Sequence, residues 1–169
     1  MLREKEIKGL PGWFMLFVLI GLLIVEIWML VSAIQMEEPA WIVSWIVVIA
    51  VTFVCLFGLT IVNPNEARVI QLFGKYKGSL KEQGLKWVNP LTLRRKVSLR
   101  VRNFESSKLK VNDHDGNPIE IAAVVVWRVV ETAEAVFHVN DYEHFVHVQS
   151  EAAVRNLATS YPYDAHVEG

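Results

Sequence analysis

Two long apolar segments near the amino terminus constrain this chain more than any other feature. The first runs from Trp13 to Ile34 and the second from Ala40 to Val62. At a rise of about 1.5 Å per residue, each segment is long enough as a helix to cross the roughly 30 Å hydrocarbon layer of a bilayer. A cleaved signal peptide is the alternative for the first segment, but its apolar core usually has only about 7–15 residues. The sequence therefore predicts two membrane-spanning helices, residues 13–34 and 40–62.

The connection between the two segments, residues 35–39, is too short to do more than turn the chain back. The helices should therefore pack antiparallel, with both ends on one side of the membrane. This connection carries two acids and no base, whereas the amino-terminal segment, residues 1–12, is basic and a basic stretch follows residue 62. The positive-inside rule then places both termini in the cytoplasm. Tryptophans at the ends of the segments are the predicted interface anchors: Trp13, Trp41 and Trp45.

Glu26 is the one charged residue inside the predicted spans. An ionisable group at this depth is costly and is often functional, so a proton path is one interpretation. The other is a hydrogen bond within or between hairpins, for which Ser44 and Thr52 supply the nearest hydroxyl groups. No second charge or interrupted pair of helices indicates transport, so we favour the hydrogen bond.

The charge of the remaining chain is divided into two halves of opposite sign. Residues 63–110 contain twelve basic and three acidic residues, a net charge of about +9, whereas residues 111–169 contain two basic and ten acidic residues, about −8. The basic half either lies on anionic headgroups or is a solvated positive-inside signal. The acidic half points away from the membrane or meets the basic half of a neighbouring copy. The candidate headgroup-binding residues are Arg94, Arg95, Lys96, Arg100 and Arg102.

Strand patterns follow the membrane segments, and helix patterns follow the strands. Asn63-Pro64-Asn65 should stop the second helix, because proline cannot continue it. Predicted elements are a hairpin of residues 66–73 and 75–80, a half-buried strand at 96–103, and a second hairpin around the turn at 113–118. Helices are predicted at 132–139 and at 142–159, the latter capped by Asp141 and carrying an apolar stripe of Phe145, Val148, Ala152 and Leu157. The expected fold class is α+β.

No residue pattern in the chain indicates catalysis or a cofactor. His138, His144 and His147 suggest a metal, but no spacing supplies a further ligand, and a calcium loop at Asp113–Asp115 lacks the remaining ligand pattern. Cys55 is the single cysteine, so no intrachain disulfide can form. Nucleophile elbows, phosphate-binding glycine loops and zinc-protease helices are missing from the sequence. We expect a protein that is not an enzyme, with no cofactor, no metal and no nucleic-acid partner.

The residues after the second span resemble a known family. The segment VNPNEARVIQLFGKYKGSLKEQGLKWVNP is similar to the opening of SPFH or band 7 domains, the group of stomatins, prohibitins and flotillins. The segments SLRVRNFE, VNDHDGNPIEIAAVVVWRVVETAEAVFHV and DYEHFVHVQSEAAVRNL follow in the family's order. The most specific pieces are Phe73-Gly74-Lys75-Tyr76, the Asp115-Gly116 turn, Arg128-Val129 and Ala153-Val154-Arg155. The resemblance covers nearly everything from Ile61 onward.

This resemblance implies a non-enzymatic membrane scaffold that assembles into rings or cages, organises membrane microdomains and modulates an ATP-dependent membrane protease. Its implied partners are lipids, many copies of itself and that protease, and its expected location is a bacterial plasma membrane. Two full spans depart from the single segment or re-entrant loop of most members. Family domains also continue into a long heptad-bearing helix, so residues 63–169 are expected to be incomplete at their carboxyl-terminal end. An accessory subunit in small complexes, and an enzyme or channel using Glu26 or the histidines, remain the alternatives.

Overall fold

The computed structural model describes residues 4–162, which divide into two units that separate after Ser98. The fold class is α+β, as predicted. The first unit contains two helices and six strands: β1 (Leu10–Pro11), α1 (Gly12–Gln35), α2 (Pro39–Leu56), β2 (Leu59–Val62), β3 (Glu66–Leu72), β4 (Lys75–Leu80), β5 (Gly84–Trp87) and β6 (Leu93–Ser98). The second contains β7 (Arg102–Glu105), β8 (Leu109–Asn112), β9 (Pro118–Ile121), β10 (Val124–Trp127), α3 (Thr132–Phe137) and α4 (Tyr142–Ser160).

Helices α1 and α2 form an antiparallel hairpin, and both are long and apolar enough to cross a membrane. Few of their residues are buried, so neither is the buried core helix of a soluble domain. The buried residues of α1, namely Gly12, Leu19, Glu26 and Ala33, recur every seven residues. That spacing keeps one seam of α1 against its partner, as in a two-helix coiled coil.

The second helix ends six residues earlier than the apolar run predicts. Helix α2 stops at Leu56, and Leu59–Val62 forms strand β2. Within β2, Thr60 and Val62 are buried whereas Ile61 is exposed, which is the period-two alternation of a strand. The prediction of one helix over 40–62 was wrong because an apolar run does not by itself distinguish a buried strand from a helix.

Three residues after the end of α2, the chain enters a small sheet whose central strand is β5. Strand β5 pairs antiparallel with β1 on one side and with β2 on the other, so Trp87 lies opposite both Leu10 and Leu59. Strand β1 directly precedes α1, and β2 begins three residues after the last residue of α2. Both ends of the hydrophobic hairpin are therefore fastened to one strand.

The second sheet of this unit has the order β4-β3-β6. The predicted hairpin of β3 and β4 is present, and its turn places Phe73 and Gly74 at φ 47° and 80°. Glycine adopts this left-handed conformation without steric cost, whereas Phe73 does not, and its ring is exposed. The buried apolar side chains of the strands and of Val88 form the core around the sheets: Val62, Ala67, Val69, Ile70, Leu80, Val88 and Val97.

The amino-terminal segment lies along the β4 edge of this sheet. The Ile7 backbone N–H donates to the Ser79 oxygen at 3.1 Å, and the Ser79 N–H donates to the Lys5 oxygen at 2.8 Å. Lys81 forms ion pairs with Glu4 and Glu6 at 3.0 and 3.3 Å. The segment before α1 is thus part of the same unit as the strands after α2.

The predicted strand at 96–103 was wrong. Strand β6 ends at Ser98, a bend follows, and β7 begins at Arg102 in the second unit. Val97 is buried in the β4-β3-β6 sheet, but Val101 is 62% exposed. The alternation of apolar and polar residues continues through the bend, so periodicity alone joins two strands that the backbone separates.

The second unit consists of two strand pairs and two helices. Strand β8 pairs with β9 across the predicted turn, where the Asp113 carboxylate accepts hydrogen bonds from the Asp115 and Asn117 backbone N–H groups at 3.0 and 2.7 Å. Strand β10 pairs with β7. Helix α4 begins as predicted, with Asp141 accepting from the N–H groups of Glu143 and His144.

The apolar stripe of α4 does not face the core of its own unit. Phe145 and Val148 are each 48% exposed and Leu157 is 57% exposed, whereas Ala158 is buried. At 100° per residue, Phe145, Val148 and Ala152 share one face, and Leu157 lies well away from it. Helix α4 therefore presents an exposed apolar strip of Phe145, Val148 and Ala152, and Leu157 does not belong to it.

The close approach of Gly58 to Trp87 gives a test of this fold. A Cβ at Gly58 would overlap the indole of Trp87 and the backbone oxygen of Val88, whereas a Cβ at Gly21 in α1 would meet nothing within 4 Å. We expect Gly58→Ala to lower the free energy of unfolding by about 1–3 kcal/mol through overpacking. Gly21→Ala is the matched control and should cause no loss in thermal unfolding measured in detergent. Equal stability of the two variants would contradict the close contact of Gly58 with Trp87 and Val88.

Candidate functional site

The hydrophobic hairpin carries one buried polar contact between its helices. The Thr52 hydroxyl of α2 donates to Oε1 of Glu26 on α1 at 2.7 Å, and both residues are less than a tenth exposed. The other carboxylate oxygen, Oε2, is buried without a hydrogen-bond partner. Of the two hydroxyls considered from the sequence, Thr52 makes this contact, whereas Ser44 donates to the Ala40 oxygen of its own helix at 2.7 Å. Glu26 thus joins the two helices at one level of their seam.

The tryptophans predicted as interface anchors lie at opposite ends of the hairpin. Trp13 is the second residue of α1, beside the β1-β5-β2 sheet, and is 64% exposed. Trp41 and Trp45 lie in the first turns of α2, next to the connecting turn, and Trp41 is 60% exposed. This separation matches two headgroup layers on either side of an apolar layer.

The end of α2 opposite the turn is capped by side chains from the strands. Trp87 Nε1 donates to the Cys55 oxygen at 2.9 Å, and the Val88 N–H donates to the Gly58 oxygen at 2.9 Å. The Arg94 guanidinium donates to the oxygens of Phe57 and Leu59 at 2.6 and 3.1 Å. Of these acceptors, the Cys55 oxygen lies in the last turn of α2 and the Phe57 oxygen at its C-cap, where a helix leaves carbonyl groups without a full set of intrahelical partners.

Arg94 was predicted to bind headgroups, but in the structure its guanidinium binds the backbone of the chain. Burial, followed by the charge of nearby Arg68, lowers the pKa of Arg94 from its ordinary value. Arg68 itself donates to the Ile61 oxygen at 3.2 Å. Sequence reasoning missed Trp87 as a capping residue of α2 and Arg68 as a donor to strand β2, because the contacts they make lie 32 and 7 residues away along the chain.

Two more of the predicted basic residues form ion pairs. Lys96 binds Glu66 at 2.6 Å, and this hydrogen bond, with a further one from Asn63, lowers the pKa of Glu66. In the second unit, Arg102 forms an ion pair with Glu143, and the hydrogen bond between them raises the pKa of Arg102. The Arg102 guanidinium also lies 5.7 Å from the centre of the Trp127 ring.

The last two predicted headgroup residues, Arg95 and Arg100, are exposed, and they belong to different units. Arg95 lies on β6, in the unit that also contains the hairpin. Headgroup binding by this set stays a prediction.

A short loop lies alongside the last turns of α2 and forms an apolar groove with them. Asn89, Pro90 and Leu91 line this groove of about 510 Å³ together with α2 residues from Ile46 to Cys55. Asn89 accepts the Leu91 N–H at 2.9 Å through its side chain and the Thr92 hydroxyl at 2.6 Å through its backbone oxygen. These hydrogen bonds hold the loop together, and Leu91 is 61% exposed beside the apolar groove.

The three histidines are not brought together as a metal site. His147 stacks on Phe104 with ring centres 3.5 Å apart, and His138 follows the last residue of α3. Within residues 4–162, no group of three potential ligands from His, Cys, Asp or Glu has a geometry that could hold a metal ion.

Comparison with known proteins agrees with this architecture. Residues 60–168 match the family model described as SPFH domain / Band 7 family. The chain belongs to the SPFH domain / Band 7 family. This Band 7 domain therefore begins at strand β2, within the apolar run that the sequence extends to Val62. Membership places the chain in a membrane-associated family whose members are generally non-enzymatic scaffolds.

An uncharacterised protein of the archaeon Methanocaldococcus jannaschii is also similar. It is 27% identical over 122 residues, which cover 71% of this chain and 61% of the archaeal protein. The chain thus matches about three-fifths of that relative's length.

Removal of the Thr52 hydroxyl tests the contact between the two helices of this Band 7 protein. Thr52→Val leaves Glu26 without its donor, and we expect the folded hairpin to lose roughly 0.6–2 kcal/mol. Ser44→Ala removes a hydroxyl that serves only its own helix, so it is the matched control and should change stability by a few tenths of a kcal/mol. Thermal unfolding in detergent measures both. The contact is disproved if the two variants are equally stable.

Proposed function

We propose that this Band 7 protein is an integral membrane scaffold that assembles with copies of itself through its second unit. The observation that carries the proposal is the hydrophobic hairpin whose two ends are paired to one strand of a Band 7 domain. A hairpin held in this way anchors the domain at the membrane surface, and it leaves the domain free to contact neighbouring copies.

We place both ends of the hairpin in the cytoplasm, so that the chain crosses a plasma membrane twice. Lys5 and Lys8 precede α1, the basic stretch follows α2, and the turn between the helices carries Glu37 and Glu38. This distribution is the one that the positive-inside rule assigns to a hairpin with a cytoplasmic base. The exposed Trp13, and Leu91 on the groove beside α2, then lie at the cytoplasmic interface.

Exposed apolar residues on the second unit support assembly. The residues of the α4 strip, Phe145, Val148 and Ala152, are exposed, and Val124 and Val126 of β10 are 68% and 65% exposed. Exposed apolar surface of this kind commonly marks an interface with another protein. The acidic second half and the basic first half add complementary charges for contacts between neighbouring copies.

The proposed partners are membrane lipids, copies of the same chain in ring- or cage-like assemblies, and an ATP-dependent membrane protease whose access the assembly modulates. In this role the protein organises a membrane microdomain and performs no catalysis. The second candidate is an accessory subunit that regulates a membrane protease or transporter in small complexes. The exposed strip on α4 favours self-assembly, because a helix that extends along a series of neighbours needs an apolar outer face.

A charge placed in the exposed strip tests this proposal. Val148→Glu adds a carboxylate to the strip, whereas Ala153→Glu adds the same charge to an exposed position about 140° around α4. The protein is extracted with its native lipids and examined by mass photometry and electron microscopy. We expect wild type and Ala153→Glu to form large assemblies and Val148→Glu to disperse, since burial of an unpaired charge is costly.

Two outcomes would contradict the scaffold. If the wild-type protein were monomeric, the proposal of self-assembly would be wrong. If it formed a small complex with one copurifying partner, the accessory-subunit function would be favoured instead. If Val148→Glu and Ala153→Glu assembled equally well, assembly would use another surface than the α4 strip.

A further inference from the structure

Two arginine side chains come together in the first unit, beside the end of α2. Arg68 of β3 pairs with Lys96 of β6, and Arg94 lies two residues before Lys96 on the same strand. Side chains two residues apart on a strand share one face, so Arg68 and Arg94 are diagonal neighbours on one face of the β4-β3-β6 sheet. Diagonal positions are about 7–8 Å apart, which is within reach of long side chains. The register therefore brings two positive charges together.

Both guanidinium groups contact the segment by which the chain leaves the hairpin. Arg68 donates to the Ile61 oxygen at 3.2 Å. Arg94 donates to the Leu59 oxygen at 3.1 Å and to the Phe57 oxygen at 2.6 Å. Ile61 and Leu59 are two residues apart on edge strand β2, so their oxygens point to the same side, about 7 Å from each other. Phe57 is the C-cap residue of α2, so the pair lies where the apolar helix ends.

No carboxylate within residues 4–162 forms an ion pair with either arginine. Glu66 is the acidic residue of β3 on the same face as Arg68. Its two oxygens are already engaged, because one accepts from Lys96 at 2.6 Å and the other from Asn63 at 3.1 Å. On β3 and β6 this face therefore carries three cations and one carboxylate, and that carboxylate is bound to Lys96.

The backbone contacts position the two guanidinium groups but do not neutralise them. A carbonyl oxygen is one end of a dipole and carries no net charge, and the Nε atoms of Arg68 and Arg94 are buried without a hydrogen-bond partner. Each group has five N–H donors, of which Arg68 uses one and Arg94 uses two in these contacts. Two half-buried charges of the same sign on neighbouring positions repel each other. An anion bound to the free terminal N–H groups would offset this repulsion.

We propose that Arg68 and Arg94 bind the phosphate of an anionic phospholipid in the leaflet at the base of the hairpin. Phosphate suits the pair because the planar N–H donors of a guanidinium match its oxygens and form charge-assisted hydrogen bonds with them. The inference rests on the proposed membrane-spanning placement, which puts the end of α2 at headgroup level. The site gives the scaffold a preference for anionic over zwitterionic lipids.

The apolar groove at the same end of α2 favours a lipid over a free phosphate ion. Apart from Asn89, the residues that line this groove of about 510 Å³ are apolar, among them Val51, Val54 and Leu91. Val54 lies three residues before Phe57, which is less than one helical turn from the residue that Arg94 contacts. An acyl chain in the groove would therefore begin near the phosphate site.

Arg95 provides a matched control. It follows Arg94 on β6, it is exposed, and the alternation of side chains places it on the opposite face of the sheet. Arg68→Gln and Arg95→Gln therefore remove the same charge from the same sheet and differ in their relation to the arginine pair. Glutamine at position 68 keeps an amide donor for the Ile61 oxygen, so the substitution removes the charge without removing every donor to β2.

The experiment measures lipid retention by native mass spectrometry. The full chain is reconstituted in discs that contain equal amounts of palmitoyl-oleoyl phosphatidylglycerol and phosphatidylethanolamine, and the ratio of the two lipids that remain bound is determined. We expect wild type and Arg95→Gln to retain the glycerol lipid preferentially. Arg68→Gln should lower that ratio about tenfold, which is the effect of losing one charge-assisted hydrogen bond. The wild-type ratio is itself a test that does not depend on the folding of any variant.

The outcomes separate the phosphate site from the membrane placement. A protein that alkaline carbonate removes from membranes would overturn the spanning placement, independently of any lipid ratio. An integrated wild-type protein with no preference would overturn the site alone. Equal ratios for Arg68→Gln and Arg95→Gln would do the same, because they would show a diffuse effect of charge. Displacement of the bound lipid by millimolar inorganic phosphate would show that the pair takes the free ion, which also contradicts the lipid proposal.

Discussion

Strand β5 is the element on which the rest of the first unit depends. It is four residues long, and it is hydrogen-bonded on one side to the segment that enters the hydrophobic hairpin and on the other to the segment that leaves it. The hairpin therefore cannot open at its base without breaking the sheet. Trp87, in the same strand, also caps the end of α2 through the Cys55 oxygen. One short strand thus links the apolar helices to the Band 7 domain.

The polar groups of the first unit serve mainly to join its parts. Thr52 and Glu26 connect the two helices, Arg94 binds the backbone beyond the end of α2, and Lys81 holds the amino-terminal segment. Net charge alone assigned Arg94 and Lys96 to the membrane surface, but their nearest partners are a carbonyl group and a carboxylate of the chain. Net charge along the sequence therefore does not show which basic side chains are already engaged by the chain itself.

The sequence predicted those features that depend on neighbours along the chain. The start of α1, the Phe73-Gly74 turn, the Asp113 turn and the Asp141 cap follow from apolar length or local hydrogen bonding, and the structure has each of them. The end of α2 and the break after Ser98 depend on distant partners, Trp87 for the first and a change of unit for the second. The spacing of apolar residues along the sequence contains no information about either of these two boundaries. The outward orientation of Val148 was missed for the same reason.

The central claim, that both ends of the hairpin lie on one side of the membrane, is tested most directly by labelling single cysteines in sealed vesicles. With Cys55 replaced by alanine, cysteines are placed in turn at Lys8, Met36 and Lys110, and a membrane-impermeant maleimide is applied from one side. We predict that Lys8→Cys and Lys110→Cys react from the same side and Met36→Cys from the other. Labelling of Lys8→Cys and Lys110→Cys from opposite sides would contradict a sheet that joins the two ends of the hairpin.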